Sequence, residues 1–186
     1  AKLINKAKKP FIVWGQGVIL GNAETEFLNF IEKTGIPAAW TILGLSAVPT
    51  DHPLNVGMVG MHGNYGPNVL TNECDLLIAV GMRFDDRVTG NLNSYAKQAN
   101  IIHFEIDPAE INKNVKADVP VLGNVKITLN DILPFLNKRN HNDWISKFSE
   151  FYDLEFKKVI DKEYNKKNGG LSMAEVIKGI NDNTNG

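Results

Sequence analysis

Two arginines and two carboxylates follow directly on one apolar segment of this chain. Residues 75–80 have the length and the unbroken apolar run of a strand that is buried on both faces of a parallel sheet. Gly81 comes next, where the missing side chain lets another molecule approach the backbone. The charged residues are Arg83, Asp85, Asp86 and Arg87. Because ligands of open α/β sheets bind outside the carboxyl ends of the strands, this cluster predicts a site for a charged, hydroxyl-bearing molecule, although a solvated loop with self-paired charges is the alternative.

Other predicted strand ends carry groups that suit a nucleotide. After residues 11–14, Gly15, Gly17 and Gly21 form G-x-G-x-x-x-G, one residue longer than the dinucleotide fingerprint, so a plain turn fits equally well. Gly123, Asn124 and Val125 repeat the pattern of glycine, polar and apolar residues after residues 119–122. Glycines and polar groups at several strand ends together favour a ligand in a cleft.

Carboxylates follow the predicted strand of residues 101–106. Glu105 and Asp107 suit the acceptance of hydrogen bonds from ribose hydroxyls, while the alternative for Asp107 is a cap on the turn at Ala109. Arg83 is able to hold a pyrophosphate through two parallel hydrogen bonds, a geometry that lysine cannot reproduce. These groups predict recognition of a nucleotide.

Conventional catalytic and metal-binding arrangements are missing from the sequence. Cys74 directly precedes a buried strand, so a structural role fits it better than a nucleophilic one. The histidines, His52, His62, His103 and His141, lack metal-ligand spacing. The glycine-flanked loop around His62 invites a ligand, whereas His103 lies within a strand and is interpreted as a core histidine. We therefore predict no catalytic residue and no metal ligand in this chain.

Composition restricts the class of protein. The net charge of −1 gives no general attraction to phosphate polymers, so nucleic acid is not an expected partner. The single cysteine excludes an internal disulfide and suits a reducing cytoplasm, which is the expected location. No apolar run reaches membrane-spanning length, and the first residues lack a secretory signal.

Strands alternate with helices along residues 1–137, which predicts a doubly wound, parallel α/β sheet with helices on both faces. Predicted strands cover residues 11–14, 36–40, 75–80, 101–106 and 119–122, and predicted helices cover residues 23–34, 67–73 and the segment after Asn124. Asn22 is the predicted cap of the first of these helices and Gly35 its end. Residues 49–66 read as a loop with a short strand, and residues 109–114 as a helical turn.

In residues 138–186 the alternation of strands and helices gives way to helical segments, and this part of the chain is interpreted as a helical linker. Residues 142–164 are helical with a wide aromatic face, which is more typical of core packing than of a binding site, although in a fragment it would face a missing domain. Residues 166–170 are polar, and residues 173–180 are amphipathic. From both termini we expect a domain excised from a longer protein.

Three motifs in order resemble a known family. These are G-M-V-G-M-H-G, then D-L-L-I-A-V-G-M-R-F-D-D-R-V-T-G, then H-F-E-I-D-P-A-E-I-N-K-N. Together they resemble the central domain of the acetolactate synthase (acetohydroxyacid synthase) catalytic, or large, subunit, a thiamine-diphosphate enzyme. The resemblance implies a Rossmann-like fold of the deoxyhypusine-synthase (DHS) type, with residues 1–137 as the central FAD-binding domain.

The resemblance also implies which residues contact each ligand. The implied FAD contacts are Gly15, Gly17, Thr41, Ile42, Leu43, Gly60, Met61, His62, Gly81, Arg83, Asp85, Val88, Glu105, Ile106, Asp107, Gly123, Asn124 and Val125. Arg87, with Asp86 beside it, resembles the arginine that reaches the carboxylate of the incoming oxoacid. The family often has glycine in place of Gln16, and aspartate in place of Glu105 and Asn124; none of these departures abolishes the pattern.

The implied parent enzyme is a transferase of branched-chain amino acid biosynthesis. It condenses pyruvate with pyruvate or with 2-oxobutyrate, with loss of carbon dioxide, and FAD has no net redox part in this main reaction. Thiamine diphosphate and Mg²⁺ bind through a glutamate and a G-D-G motif of other domains, so this chain alone is expected to be inactive. The implied assembly is a homodimer or homotetramer with a regulatory small subunit.

Three rival interpretations stay open at this point. An NAD-dependent enzyme of the sirtuin or deoxyhypusine-synthase type shares the general architecture, but a single cysteine cannot form the zinc module common in sirtuins. A nucleotide-free assembly domain of another thiamine-diphosphate enzyme is the second, against which Arg83, Asp85 and the glycines argue. Glyoxylate carboligase or an oxalyl-CoA decarboxylase is the third, which R-F-D-D-R-V-T-G disfavours.

Overall fold

Parallel strands form the centre of the molecule in a computed structural model that describes residues 1–165 and 170–184. The strands are β1 Pro10–Trp14, β2 Ala38–Trp40, β3 Asn55–Met58, β4 Leu76–Val80, β5 Asn100–Glu105 and β6 Val119–Leu122. They lie in the order β3-β2-β1-β4-β5-β6, and every neighbouring pair is parallel. The predicted α/β sheet is confirmed, and its order reverses between β1 and β4.

Helices cover both faces of this sheet. They are α1 Lys2–Lys6, α2 Gln16–Leu20, α3 Glu24–Thr34, α4 Tyr65–Leu70, α5 Asp86–Thr89, α6 Val125–Ile132, α7 Asn142–Glu155, α8 Asp161–Tyr164 and α9 Met173–Asp182. Side chains alternate along a strand, so β1 supplies both cores. Ile12 packs with α3 and α6 on one face, while Phe11 packs with α4 and α7 on the other.

The predicted bounds of the helix at residues 23–34, which is α3 in the structure, are partly wrong. Asn22 does not cap it, because α3 begins at Glu24 and Asn22 has a φ of 47° in the turn after α2. Asparagine tolerates this left-handed conformation better than most residues, which suits it to a turn. The predicted end is confirmed, since Gly35 has a φ of 62° and its N–H donates to Ile31 O.

Other short elements also differ from prediction. α4 starts at Tyr65, two residues before its predicted start at Pro67. Pro67 is tolerated in the first turn, because a backbone N–H at that position would have no partner within the helix. Residues 109–114 form hydrogen-bonded turns instead of the predicted helical turn. Asn112 there has a φ of 61°, and its side chain accepts a hydrogen bond from Ala117 N. That left-handed residue stops helical propagation.

Helix α7 is packed firmly onto the sheet. Trp144 Nε1 donates to Pro10 O at 2.9 Å, and the rings of Phe148 and Phe11 are 5.2 Å apart. Trp144 and Phe148 therefore match the core interpretation of the aromatic face, whereas Phe156 and neighbouring apolar residues are exposed.

The C-terminal part continues as a helix beyond α7. A π-helical turn, Phe156–Ile160, joins α7 to α8, and α9 begins with a capping box of Ser172 and Glu175. The predicted helices of residues 142–164 and 173–180 are confirmed. Within the predicted helical linker, residues 166–169 of the polar segment 166–170 lie outside the described residues. The boundary at residue 137 stays a prediction. None of the helices in the described part of the chain is long and apolar enough to cross a membrane.

Candidate ligand-binding cleft

A cleft of about 460 Å³ opens at the carboxyl edge of the sheet. It lies where the strand order reverses between β1 and β4, the position at which open α/β sheets bind ligands. The predicted cofactor residues that line it are Gly15, Gly17, Thr41, Ile42, Leu43, Gly60, Met61, His62, Gly81, Arg83, Asp85, Val88, Glu105 and Ile106. Residues far apart in sequence are thus brought together as expected.

Glycine backbone forms one wall of the cleft because β4 and α2 approach too closely for side chains. Gly17 N donates to Gly81 O at 2.8 Å. A Cβ at Gly15 would lie 2.6 Å from Gly81 O, and a Cβ at Gly17 would lie 2.6 Å from Gly81 Cα. Gly81 also has a φ of 57°, which L side chains rarely adopt. The glycines are therefore required by the fold, and they leave this wall bare.

Arg83 and Asp85 supply charge at the rim. The Arg83 side chain is 64% exposed, and its guanidinium lies 3.8 Å from the Asp85 carboxylate. Asp85 also caps α5, because its Oδ1 accepts a hydrogen bond from Arg87 N at 3.0 Å. A loose, solvated ion pair of this kind contributes little energy. The Arg83 guanidinium is therefore available to bind an anionic group.

Glu105 is buried at the end of β5 and is held by its own turn. Its Oε1 accepts hydrogen bonds from Ile106 N at 2.8 Å and from Asp107 N at 3.1 Å. Its Oε2 lies 3.7 Å from His103 Nε2. Because Oε1 already has two donors, Oε2 is the better-placed oxygen to accept a ligand hydroxyl. The carboxylate is therefore oriented before any ligand arrives.

Four predicted cofactor residues do not line this cleft: Asp107, Gly123, Asn124 and Val125. Asp107 Oδ1 accepts from Ala109 N at 2.8 Å, which is the turn-capping alternative considered above. Asn124 caps α6 by accepting from Lys126 N at 2.9 Å. Val125 is buried, and its side chain packs against Gly21. Ligand contacts by these four residues stay predictions.

Apolar side chains form another part of the lining. Ile42 and Leu43 lie in a short 3-10 segment, Ile42–Gly44, and both are exposed, as is Met61. The lining residues outside the predicted set of cofactor contacts are Gln16, Leu20, Met58, Val59 and Met82. Exposed apolar groups beside a polar rim are typical of binding sites for flat, amphipathic ligands.

A second cavity of about 360 Å³ shares Val59, Gly60, Met61, Arg87 and Val88 with the first. Asp86 lines only this second cavity, while Arg87 lines both. Their side chains are 87% and 72% exposed, and Arg87 Nε lies 3.9 Å from Asp86 Oδ1. The predicted substrate residues are therefore solvent-accessible and adjacent to the predicted cofactor residues.

Burial shifts the pKa of two core residues, Cys74 and His103, toward the uncharged form. Burial, with a smaller effect of the Asp75 carboxylate, raises the pKa of the Cys74 thiol to about 12. Burial also lowers the pKa of His103, whose Nε2 lies 2.9 Å from Met82 O. His103 Nδ1 is buried without a partner among the described residues, so the core interpretation holds with only one ring nitrogen satisfied. The same part of the chain contains no group of three His, Cys, Asp or Glu side chains placed to hold a metal.

Known proteins share this sequence over most of its length. Residues 1–132 match the sequence model of a family described as "Thiamine pyrophosphate enzyme, central domain". The probable acetolactate synthase large subunit of Methanocaldococcus jannaschii is 46% identical over 155 residues, which are 83% of this chain and 26% of that protein. The acetolactate synthase isozyme 2 large subunit of Escherichia coli is 44% identical over 153 residues, which are 82% of this chain and 27% of that protein.

A third relative matches a larger share of the chain than these two. The acetolactate synthase large subunit of Buchnera aphidicola subsp. Schizaphis graminum is 36% identical over 180 residues, which are 95% of this chain and 31% of that protein. The chain thus spans 26% to 31% of the length of these relatives. The resemblance drawn from the three motifs is confirmed, and these matches favour it over the sirtuin-like alternative. On these matches and on its fold, the chain belongs to the family of thiamine pyrophosphate enzyme central domains.

Proposed function

We propose that this chain is the FAD-binding central domain of an acetolactate synthase large subunit, with FAD in the cleft at the carboxyl edge of the sheet. The observation that carries the proposal is the combination of bare glycine backbone, an available guanidinium, a fixed carboxylate and an apolar wall around one cavity. These are the groups that a dinucleotide needs for its pyrophosphate, ribose and ring.

Each part of the cleft has a proposed task. Arg83 binds the pyrophosphate, and Oε2 of Glu105 accepts a ribose hydroxyl. Ile42, Leu43 and Met61 shield a ring from water, while the glycine wall lets the ligand reach the backbone. In the reaction that the resemblance implies, FAD takes no net redox part.

We further propose that the parent protein condenses two 2-oxoacids with loss of carbon dioxide. Thiamine diphosphate and Mg²⁺ are held by its other domains, while Arg87 and Asp86 lie toward the carboxylate of the incoming oxoacid. The proposed assembly is a homo-oligomer with a regulatory small subunit, located in the cytoplasm. This chain by itself is expected to be inactive, so a mixture with pyruvate, thiamine diphosphate, Mg²⁺ and FAD should form no acetolactate; robust turnover would contradict that expectation.

A titration of the chain with FAD, followed by flavin fluorescence, tests the proposed ligand. We expect a saturable change, and Arg83→Gln should weaken binding about tenfold or more because a charge-assisted hydrogen bond to the pyrophosphate is lost. Lys116→Gln is the matched control, since it removes the same charge from an exposed side chain that precedes β6, at the amino edge of the sheet. A signal that never saturates would favour the assembly-only interpretation, and preferential binding and hydrolysis of NAD would favour the sirtuin-like one.

A further inference from the structure

Asn68 holds the backbone of Gly60 at two points. Its Nδ2 donates to Gly60 O, and its Oδ1 accepts from Gly60 N, each at 2.9 Å. Gly60 has a φ of 108°, and a Cβ there would lie 2.8 Å from Arg87 O. The next residue, Met61, donates its N–H to that same oxygen at 2.7 Å. This wall of the cleft is therefore held from two sides, in a backbone conformation that glycine adopts readily and other residues rarely do.

A second amide, Asn64, fixes the preceding part of the same wall. Asn64 Oδ1 accepts from Met58 N at 2.9 Å, and Asn64 Nδ2 donates to Glu155 Oε2 at 3.2 Å. The other carboxylate oxygen, Glu155 Oε1, accepts from Tyr65 N at 3.1 Å. Because Met58 N donates to Oδ1, a flip of the Asn64 amide that exchanges Oδ1 and Nδ2 would break this hydrogen bond. The Nδ2 group therefore faces Glu155, and it needs an acceptor there.

Glu155 belongs to α7, which lies beyond the residues 1–132 that match the family. The helix is anchored to the sheet by Trp144 and to α4 by Phe151, whose ring lies 5.2 Å from that of Tyr65. A Cβ at Gly66 would lie 3.1 Å from Phe151 Cβ, so the two helices are in close contact. A continuous set of packed groups thus joins the core to the cleft wall.

We infer that α7 is a positioning element of the cleft, in which Glu155 acts through Asn64 on the segment from Met58 to His62. Glu155 does not line the cleft, so it is a positioning residue that influences a ligand only through that segment. The carboxylate and the Asn68 clamp together keep Gly60 and Met61 in place before a ligand binds. The inference rests on the proposed function for the identity of the ligand, FAD, while the fixed backbone is a property of the chain without ligand.

The test compares Glu155→Ala and Glu155→Gln with the same changes at Glu150, in the whole chain. Glu150 is an exposed glutamate of the same helix that forms no side-chain hydrogen bond among the described residues. Its variants therefore remove the same negative charge as the Glu155 variants without breaking a hydrogen bond. Amide hydrogen exchange without ligand reports on the segment, FAD titration reports on the cleft, and urea unfolding reports on global stability. The Gln variant keeps the size of the side chain and one acceptor oxygen, so it retains part of the contact.

We expect Glu155→Ala to speed exchange at the amides of Met58, Gly60 and Met61 about tenfold, the equivalent of one charged hydrogen bond. FAD binding should weaken at least about threefold, because the variant populates the ligand-binding conformation of the segment less than the unchanged chain does. Glu155→Gln should give intermediate values in both measurements, and both Glu150 variants should match the unchanged chain.

Three results would overturn the inference: unchanged exchange at these amides, a uniform rise of exchange over the whole chain, or faster exchange without any loss of FAD affinity in a chain that binds FAD. Faster local exchange in a chain that binds no FAD would instead contradict the proposed function and support the positioning role.

Discussion

Alanine at Gly81 measures how strongly the fold depends on the close approach of β4 and α2. Gly81 and Gly90 have nearly equal φ values, 57° and 56°, but a Cβ at Gly81 would lie 2.7 Å from Gly17 Cα, whereas a Cβ at Gly90 meets nothing within 4 Å. Gly90→Ala therefore meets no clash and carries only a backbone cost, about 1–3 kcal/mol because Gly90 has a ψ of −127°. Gly81→Ala carries a backbone cost of about 1–2 kcal/mol and, in addition, an overpacking cost of about 1–3 kcal/mol.

Urea unfolding followed by tryptophan fluorescence is the assay, because buried Trp14 lies at the end of β1. We expect Gly81→Ala to lower the free energy of unfolding by about 2–5 kcal/mol, and to weaken FAD binding through displacement of the glycine wall. A difference between the two variants of less than about 0.5 kcal/mol would refute the reasoning, since the clash would then be absorbed without cost.

Three further predictions concern the buried groups. Burial lowers the pKa of His103 below its ordinary value of 6.5, so the unfolded chain binds this proton more readily. His103 should therefore make stability fall as the pH drops from about 7 through 6.5, by up to about 1.4 kcal/mol per pH unit, and His103→Gln should remove that contribution in urea unfolding at several pH values. Trp144→Phe should cost about 1–3 kcal/mol in the same assay, because the buried carbonyl of Pro10 loses its donor. Cys74 should react with iodoacetamide only in denaturant, since its thiol is buried with a pKa of about 12; rapid labelling of the folded chain, measured by mass spectrometry, would contradict this.

Sequence reasoning recovered the sheet because its strands are short apolar runs that end at glycine or at polar residues. It missed α2 and α5, because helices of five and four residues are too short to show a periodicity. It misplaced the start of α3, since Asn22 is equally typical of a cap and of a left-handed turn residue.

The glycines and charged residues of the candidate site were predictable from the sequence, but the contacts that hold the cleft wall in position were not. Local sequence places Gly81, Arg83 and Glu105 at strand ends, and parallel strands bring those ends to one edge. The contact of Glu155 with Asn64 joins residues 91 positions apart, so no local pattern indicates it. The turn after β6 has the same glycine and polar pattern but lies outside the cleft lining, because Asn124 is used as a helix cap.

The most direct test of the central claim is an NMR titration of the isotope-labelled chain with FAD, which detects weak binding as well as strong. We predict saturable shifts at the backbone amides of Gly15, Gly17, Gly60 and Gly81, which lie together around the cleft. A titration to millimolar FAD that leaves these amides unchanged, or that shifts only residues remote from the carboxyl edge of the sheet, would contradict the account.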